Sequence, residues 1–305
     1  YKFQRVSYTM EKKIFDHSID ADEETLTQFK NCYSQDFVVA AALMPDAHKG
    51  YVAPIGSVLI TKDFIVPAWV GYDVGCGLIA LRIKGRGILE IARKNAEKIY
   101  KKVLEKVPMG VGEYNKVKNI SSQTVEKFHK LLEKFKKGEH DKNILRYLES
   151  KALKHLGTLG GGNHFIELDS CGSELWLVIH SGSRGIGHEI AKKYMIKASS
   201  RKKGFEETFP IKADSKLGKE YLNILDFCLE YALLNRMEIA KKVLESVEEV
   251  IGKKVSTQFW ANKNHNHVVK EDGFFVHRKG ATPAKKGEKG IIPGNMRDGT
   301  YLVIG

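Results

Sequence analysis

Cysteine is scarce in this chain of 305 residues, and its four copies lie far apart, at Cys32, Cys76, Cys171 and Cys228. This spacing is too sparse for a disulfide framework, so buried or metal-binding thiols are expected. The amino terminus, which begins at Tyr1, lacks the apolar segment of a secretory signal. No apolar run approaches the ~18 residues that a membrane-spanning helix requires. We therefore expect a soluble protein and, by default, a cytoplasmic one.

Acidic residues are outnumbered by basic ones: 37 Asp and Glu stand against 50 Lys and Arg, which gives a net charge of +13. A basic surplus favours polyanionic partners such as RNA, DNA or anionic lipid. A solubilising lysine surface of the kind that thermophile proteins carry explains the same charge equally well. Charge by itself leaves both interpretations open.

The chain also lacks internal repeats and low-complexity linkers, so it reads as one large domain. Short runs rich in branched residues and separated by glycine, proline or aspartate predict strands. The predicted strands cover residues 38–43, 56–60, 64–70, 78–83, 165–168, 175–179, 268–269, 274–276 and 301–304.

Helical patterning dominates two other stretches. Residues 88–157 are rich in lysine, with apolar residues at helical spacing, and predict a helical insertion. Residues 214–251 carry a broad apolar stripe, which is typical of a helix packed on a core. Shorter helices are predicted after the acid-rich turn at residues 20–23 and from Ile186. The sequence thus predicts a single α+β domain over 1–305, with a mixed or antiparallel sheet core, the insertion at 88–157 and peripheral helices.

The most specific chemistry lies at residues 73–77 (DVGCG), with residues 44–50 (MPDAHKG) upstream. Asp73 and Cys76, three residues apart on a glycine-flanked turn, can both reach one cation. Alone, that pair is weak support for a metal site. Later segments repeatedly place histidine beside glycine or asparagine: GGGNHF at 160–165, HSGSRG at 180–185, NHNH at 264–267 and HRKGAT at 277–282.

Five residues of these segments form a mixed set of oxygen, sulfur and nitrogen donors: Asp73, Cys76, His164, His180 and His265. Five ligands exceed the needs of one tetrahedral site with an open position, but they suit two metals that share a bridging thiolate. Ligand softness favours zinc at least as much as manganese.

Basic residues near these segments offer contacts to anions. Residues 180–185 present small side chains together with the guanidinium fork of Arg184, a suitable phosphate cradle. Arg278 and Lys279 follow a predicted strand and suit RNA or triphosphate oxygens. Because neighbouring strand residues point to opposite faces, we do not expect both to serve.

Taken together, the segments resemble the RtcB family of RNA-splicing ligases, which are GTP- and manganese-dependent enzymes that join RNA ends. The resemblance runs from the proline-aspartate-histidine segment to the last residue, and several segments match in order. It implies an RtcB-like fold and one manganese ion on Asp73, Cys76 and His164. A second ion would share Cys76 and add His180 and His265.

The resemblance also implies nucleotide contacts. Asn163 and Asn266, each beside a ligand histidine, would help to hold the phosphates of GTP, since a side-chain amide is a neutral donor. Turn chemistry is the alternative explanation for both asparagines. Glu167 would lie near the nucleotide, or otherwise occupy a surface position on a strand. His48 matches the family motif without a clear role, and Asp46 reads as a turn aspartate.

Part of the family pattern is missing. RtcB ligases carry the guanylate on a histidine in a His-Gly-Ala-Gly-Arg motif near the carboxyl end, and a lysine close to the terminus helps to hold the guanine. Neither occurs here, although residues 292–300 resemble the segment that shortly precedes that motif. We therefore expect a C-terminally incomplete chain, with the catalytic histidine outside it. His48 and His277 are the conceivable substitutes within it.

The leading hypothesis is an RNA ligase that joins 3′-phosphate or 2′,3′-cyclic phosphate ends to 5′-hydroxyl ends, with GTP and two divalent metals. Its partners would be tRNA halves or broken RNA, and no activating protein is identifiable. One alternative is a dinuclear phosphoesterase, which needs the same metals but no guanylylation. Another is a basic RNA-binding protein with a structural metal, whose RNA affinity would survive chelation and fall steeply with salt.

Overall fold

The structure, a computed structural model, describes residues 12–295 and 297–305. The strands are β1 (Lys13–Asp16), β2 (Val38–His48), β3 (Ile55–Thr61), β4 (Phe64–Ile65), β5 (Gly77–Lys84), β6 (Phe165–Cys171), β7 (Glu174–Ser181), β8 (Ile211–Lys212), β9 (Ser256–Asn264), β10 (Asn266–Glu271), β11 (Phe274–Lys279), β12 (Lys289–Pro293) and β13 (Thr300–Ile304). The α-helices are α1 (Glu23–Tyr33), α2 (Pro67–Val70), α3 (Ile88–Lys94), α4 (Ala96–Lys106), α5 (Ser122–Lys136), α6 (Lys142–Tyr147), α7 (Leu153–His155), α8 (Arg184–Ser199) and α9 (Lys216–Ile251). A 3₁₀ turn at Val117–Asn119 and a π-helical turn at Leu148–Ala152 complete the helical segments.

Two sheets carry most of the strands. The larger one has the order β1-β2-β3-β11-β10; β1 runs parallel to β2, and the other neighbours are antiparallel. The second has the order β6-β7-β5-β9 and is antiparallel throughout. Short ribbons pair β4 with β8 and β12 with β13. The predicted α+β class, with mixed and antiparallel sheets, is confirmed.

Helix α9 connects the two larger of three hydrophobic cores. It begins where the Ser215 side chain accepts a hydrogen bond from the Gly218 amide, and it ends at Gly252 in the left-handed conformation. Its apolar residues between 221 and 234 pack in a core with the five-stranded sheet, whereas those between 239 and 247 pack beside β5 and β7. The helix predicted at 214–251 is confirmed, and its middle lies between the two cores.

Residues 88–157 contain α3 to α7, so the predicted helical patterning is present there. That this segment is an insertion within a single domain stays a prediction. Among the described helices, none has both the length and the mean hydropathy needed to cross a membrane.

One predicted strand is wrong over most of its length. Within residues 64–70, only Phe64–Ile65 is strand, and Pro67–Val70 forms α2. Proline suits the first helical turn, because its fixed φ is helical and no amide hydrogen is required there. Strand β2, in contrast, is longer than predicted, because it continues to His48 through a shift in its register after Leu43. Asp46 therefore lies in a strand and not in the expected turn. Strands β1, β8, β9 and β12 were not predicted.

His277 lies in the middle of β11 with 1% of its surface exposed. Its Nε2 accepts a hydrogen bond from the Val66 amide at 3.0 Å, and its Nδ1 lies 3.2 Å from the Leu59 carbonyl oxygen, to which it donates. Burial lowers the pKa of His277 to about 3. Both ring nitrogens are used inside the core, so His277 is not the substitute nucleophile considered from the sequence.

We predict that His277 makes the fold sensitive to acid. The unfolded chain protonates this imidazole near pH 6.5, whereas the native state protonates it only near pH 3, so stability falls as pH drops between these values. His277→Gln removes the titration, and the loss of unfolding free energy between pH 6.5 and pH 5 should shrink by roughly 2 kcal/mol. Urea unfolding at both pH values measures it.

His129→Gln is the matched control, because His129 is exposed on α5. If wild type and His277→Gln lose the same unfolding free energy on acidification, His277 does not stay neutral in the native state.

Candidate metal centre

Antiparallel pairing brings four strand ends to one edge of the four-stranded sheet. Gly77 at the start of β5 lies opposite Ser181 at the end of β7 and opposite Asn264 at the end of β9. Phe165 at the start of β6 lies opposite His180. In an antiparallel sheet the start of one strand lies beside the end of the next, so residues that flank these ends converge. All the predicted metal ligands lie at this edge: Asp73, Cys76, His164, His180 and His265.

The structure brings these five side chains together as two groups of three that share Cys76. Cys76 Sγ lies 3.4 Å from His164 Nε2 and 3.0 Å from His180 Nε2. His164 Nε2 lies 3.0 Å from Asp73 Oδ2, and His180 Nε2 lies 3.2 Å from His265 Nε2. Within each group, the donor atoms lie within 4.8 Å of one another. This is a spacing at which one cation could contact all three donors.

Backbone carbonyls orient two of the histidines. His164 Nδ1 lies 3.0 Å from the Leu159 carbonyl oxygen, and His180 Nδ1 lies 3.0 Å from that of Asn163. Because Nδ1–H donates to the carbonyl, Nε2 of each ring faces the cluster. Metal-binding histidines almost always donate their other ring N–H in this way. The donor set and its orientation therefore fit a metal site.

Burial sets the protonation of the cluster. It lowers the pKa of His180 to about 4 and that of His265 to about 3, so both rings are neutral at pH 7. Burial also raises the pKa of Asp73, but the hydrogen bond and charge of His164 outweigh it and bring that pKa down to about 2. Burial and the Asp73 charge raise the pKa of the Cys76 thiol. At neutral pH, Cys76 is thus the ligand that must lose a proton when a cation binds.

The loops at this edge pack so closely that they require glycine at two positions. A Cβ on Gly182 would lie 2.5 Å from Asp73 Oδ1. A Cβ on Gly160, where φ is +93°, would lie 1.9 Å from Nη2 of Arg184. Glycine is needed because any side chain would displace a ligand or its neighbour.

A buried arginine in α9 supports the cluster through hydrogen bonds to the segments that carry its residues. The sequence did not single it out. Arg236 in α9 is 0% exposed and donates to the carbonyls of Gly75 and Ser181 at 3.0 and 2.7 Å. It also donates to the side-chain oxygens of Asn262 and Asn264, each at 2.7 Å. One guanidinium therefore links the turn before β5, the end of β7 and the end of β9.

Its neighbour Asn235 is equally buried and acts on the same loops. The amide oxygen accepts from the Gly157 amide at 2.8 Å, and the amide nitrogen donates to the Thr158 and Gly182 carbonyls, each at 3.2 Å. The available sequence signal was an adjacent asparagine and arginine in the middle of an apolar helix. Such buried polar groups persist only when they are hydrogen-bonded.

The two predicted phosphate-binding asparagines differ in their surroundings. Asn163 is exposed, and its carbonyl oxygen accepts from His180. The Asn266 side chain is used within the protein: its nitrogen donates to the Asp73 carbonyl at 3.1 Å, and its oxygen accepts from the Gly280 amide at 2.8 Å. Asn266 therefore braces the turn that carries Asp73.

The predicted anion-binding residues Arg184, Arg278 and Lys279 also differ in their contacts. Arg184 lies beside the cluster, with Nε 3.3 Å from Thr158 Oγ1 and Nη1 3.3 Å from His164 Nδ1. Arg278 forks onto the Glu271 carboxylate at 2.6 and 3.2 Å, so its charge is already paired. Lys279 is 6% exposed, and its Nζ has no hydrogen-bond partner among the described residues. Of these two adjacent cations, Lys279 is the one left for an anion.

Glu167 and Asp169 point from the same face of β6, two residues apart. Glu167 Oε2 and Asp169 Oδ2 are buried without a hydrogen-bond partner in the described part of the chain. Burial, and then the Asp169 charge, raise the pKa of Glu167 to about 7. His48, in contrast, is exposed and lies outside the cluster, with its Nδ1 2.9 Å from the Asp46 carbonyl oxygen.

The family model and the relatives described below all belong to one family. Residues 28–305 match the family model described as tRNA-splicing ligase RtcB. The RNA-splicing ligase RtcB of Escherichia coli strain K12 is 32% identical over 324 residues, which cover 96% of this chain and 76% of that protein. The tRNA-splicing ligase RtcB of Nanoarchaeum equitans is 27% identical and covers 93% of this chain and 73% of its own length. That of Archaeoglobus fulgidus is 28% identical, with 88% and 69% covered.

We predict that Arg236 holds the cluster together. Arg236→Met leaves two buried and two partly buried oxygen acceptors without their donor and should lower the unfolding free energy by about 3 kcal/mol or more. The loosened turn should also expose Cys76, so native-state alkylation of this thiol should become faster. Urea unfolding and mass spectrometry of iodoacetamide-treated protein measure the two effects.

The control is Arg86→Met, because Arg86 is exposed and its substitution should change the unfolding free energy by no more than about 0.5 kcal/mol. Equal stability of Arg236→Met and wild type would show that the guanidinium does not carry this role.

Proposed function

Because the chain belongs to the RtcB family of tRNA-splicing ligases, we propose that it is an RNA ligase. It joins an RNA 3′-phosphate or 2′,3′-cyclic phosphate end to a 5′-hydroxyl end, and it uses GTP and two manganese ions. Its substrates are tRNA halves or other broken RNA. The observation that carries the proposal is Cys76, shared by two three-residue donor groups at one sheet edge.

Asp73, Cys76 and His164 would hold one ion, and Cys76, His180 and His265 the other. Bound divalent ions supply positive charge that neutralises and orients phosphate oxygens. The donor types suit zinc at least as well as manganese, so the choice of manganese rests on the family.

Glu167 and Asp169 support a site for the guanine base. Their buried carboxyl oxygens have no partner among the residues described, and guanine presents N–H donors on its Watson–Crick edge. A pKa of about 7 for Glu167 lets the acid pair share one proton while an ionised oxygen accepts. The exposed side chain of Asn163 is free to donate to phosphate, and Asn266 retains one N–H after bracing Asp73.

Arg184 and Lys279 are the proposed contacts to RNA phosphates. Arg184 lies against His164, so an anion bound at the cluster would come within reach of its guanidinium. Lys279 has an unpaired ammonium, as described above. The net charge of +13 would attract the rest of the RNA backbone. We also propose a cytoplasmic location, where the four free cysteines stay reduced.

We predict that each chain binds two Mn²⁺ ions and that Cys76→Ser weakens both, because one thiolate is shared. Loading near neutral pH should release the proton of the Cys76 thiol, whereas His180 and His265 are already neutral and release none. Calorimetric titration in buffers of different ionisation enthalpy counts ions and protons together.

Cys171→Ser is the control, because this cysteine is exposed and lies at the far end of β6. If Cys76→Ser loses one ion and keeps the other at wild-type affinity, the thiolate is not shared.

The ligation test uses the protein at its full natural length, with one RNA that ends in a 3′-phosphate and one that begins with a 5′-hydroxyl. Joined product is expected only when both Mn²⁺ and GTP are present. Cys76→Ser and His265→Ala should lose at least about 100-fold in rate, because even residues outside the ligand set typically cost 10- to 100-fold. Cys171→Ser should remain active.

Other products would support the alternative functions. Loss of the 3′-phosphate without joining would indicate a phosphoesterase that uses the same cluster. RNA binding that survives chelation, with no chemistry at all, would indicate a binding protein with a structural metal.

A further inference from the structure

Three aromatic side chains form a ladder beside the metal centre. Tyr51, between β2 and β3, is 74% exposed, and its ring lies 5.5 Å from that of Tyr72 at an interplanar angle of 83°. Tyr72 stacks in turn on His188, with 4.6 Å between ring centroids and 19° between planes. The ladder thus begins in solvent and continues to the residue that directly precedes the metal ligand Asp73.

The inner part of the ladder is held in place. The Tyr72 hydroxyl donates to the Glu206 carboxylate, and burial raises the pKa of Tyr72, so this hydroxyl keeps its proton. His188 lies on α8 one turn after Arg184, whose guanidinium contacts His164. Tyr51 therefore presents its ring to solvent on a fixed support.

A buried cation lies between the same two loops. Gly50 directly precedes Tyr51 and Gly71 directly precedes Tyr72; a Cβ on these glycines would lie 3.1 and 3.3 Å from Lys279 Nζ. Burial lowers the pKa of Lys279 to about 8, which leaves it mostly charged at neutral pH. A buried ammonium without a partner, as here within the described residues, is costly, and an anion at the two glycines would offset that cost.

We propose that Tyr51, Tyr72 and His188 form a stacking platform for a base of single-stranded RNA, whose adjoining phosphate contacts Lys279. The inference rests on the proposed RNA ligase function and names the part of the chain that receives the strand next to the metal centre. Aromatic rings accept any base, because every base has a π-face, and a nearby cation adds the phosphate contact. An exposed tyrosine, a supported ring and an unpaired ammonium are the components of such a subsite.

The test compares single-stranded RNA binding by wild type, Tyr51→Ala and Tyr51→Phe in the full-length protein. Loss of a stacked base should weaken binding by about 5- to 100-fold in Tyr51→Ala, whereas Tyr51→Phe should stay within about two-fold of wild type. Tyr100→Ala is the matched control, since Tyr100 is 63% exposed on α4, and it should bind like wild type. Unchanged melting temperatures would exclude misfolding as the cause.

A strand that lacks bases separates stacking from backbone contacts. Wild type should bind abasic RNA more weakly than normal RNA, and Tyr51→Ala should lose nothing further on the abasic strand. In a direct test, irradiation of wild type with RNA that carries 5-iodouridine should crosslink to a peptide with Tyr51 or His188.

The outcomes distinguish this subsite from the function on which it rests. Wild type that neither binds nor joins RNA would overturn both. Wild type that joins RNA, together with Tyr51→Ala that binds RNA with wild-type affinity, would overturn the platform alone. Equal losses in Tyr51→Ala and Tyr100→Ala would also overturn it, because the effect would then not be local to the ladder.

Discussion

The proposed metal centre is built around the hydrogen bonds of the buried Arg236 guanidinium. It satisfies oxygen atoms from the turn before β5, from the end of β7 and from β9, segments that lead directly to Cys76, His180 and His265. Burial lowers its pKa to about 10, so it stays charged at neutral pH even without a carboxylate partner. The charge is tolerated because oxygen atoms take up its donors, as a buried ion requires.

The same buried, low-polarity surroundings set the protonation states of the proposed ligands. Burial keeps His180 and His265 neutral, and neutral imidazole is the form that binds metals. It also disfavours the Cys76 thiolate in the absence of a cation, so metal binding and deprotonation of this thiol are coupled. Asp73 stays ionised through His164. The cluster is thus arranged to take up positive charge while one proton leaves.

Near this centre, three buried groups that lack a hydrogen-bond partner within the described residues differ in their chemistry. The acceptors, on Glu167 and Asp169, lie on β6, whereas the buried donor, on Lys279, lies between the loops that carry Tyr51 and Tyr72. Acceptors suit the N–H edge of a base, and the ammonium suits a phosphate. These two places therefore give the proposed nucleotide and the proposed RNA strand separate positions beside one metal centre.

Local patterns were sufficient for much of the fold. The stripe in residues 214–251 predicted α9, and most predicted strands occur within a few residues of their expected bounds. The failures have local causes. Pro67 begins a helix inside an apolar run that otherwise resembles a strand. The residues of β9 follow α9 and did not show a pattern that predicts a strand. Periodicity reports which face is buried, but it does not report hydrogen-bond partners.

The sequence by itself determined which donor atoms are available and that all of them except His265 lie within a few residues of a glycine, because residue type and local backbone freedom are local properties. That Asp73, Cys76, His164, His180 and His265 meet was expected from their donor types together with the family resemblance. The tertiary structure alone decided that Arg278 pairs with Glu271 while Lys279 has no partner within residues 12–295 and 297–305, that His277 is a core residue, and that Arg236 supports the site. The physical reason is that burial and hydrogen-bond partners come from strands and helices far apart in the chain, whose register no local pattern specifies.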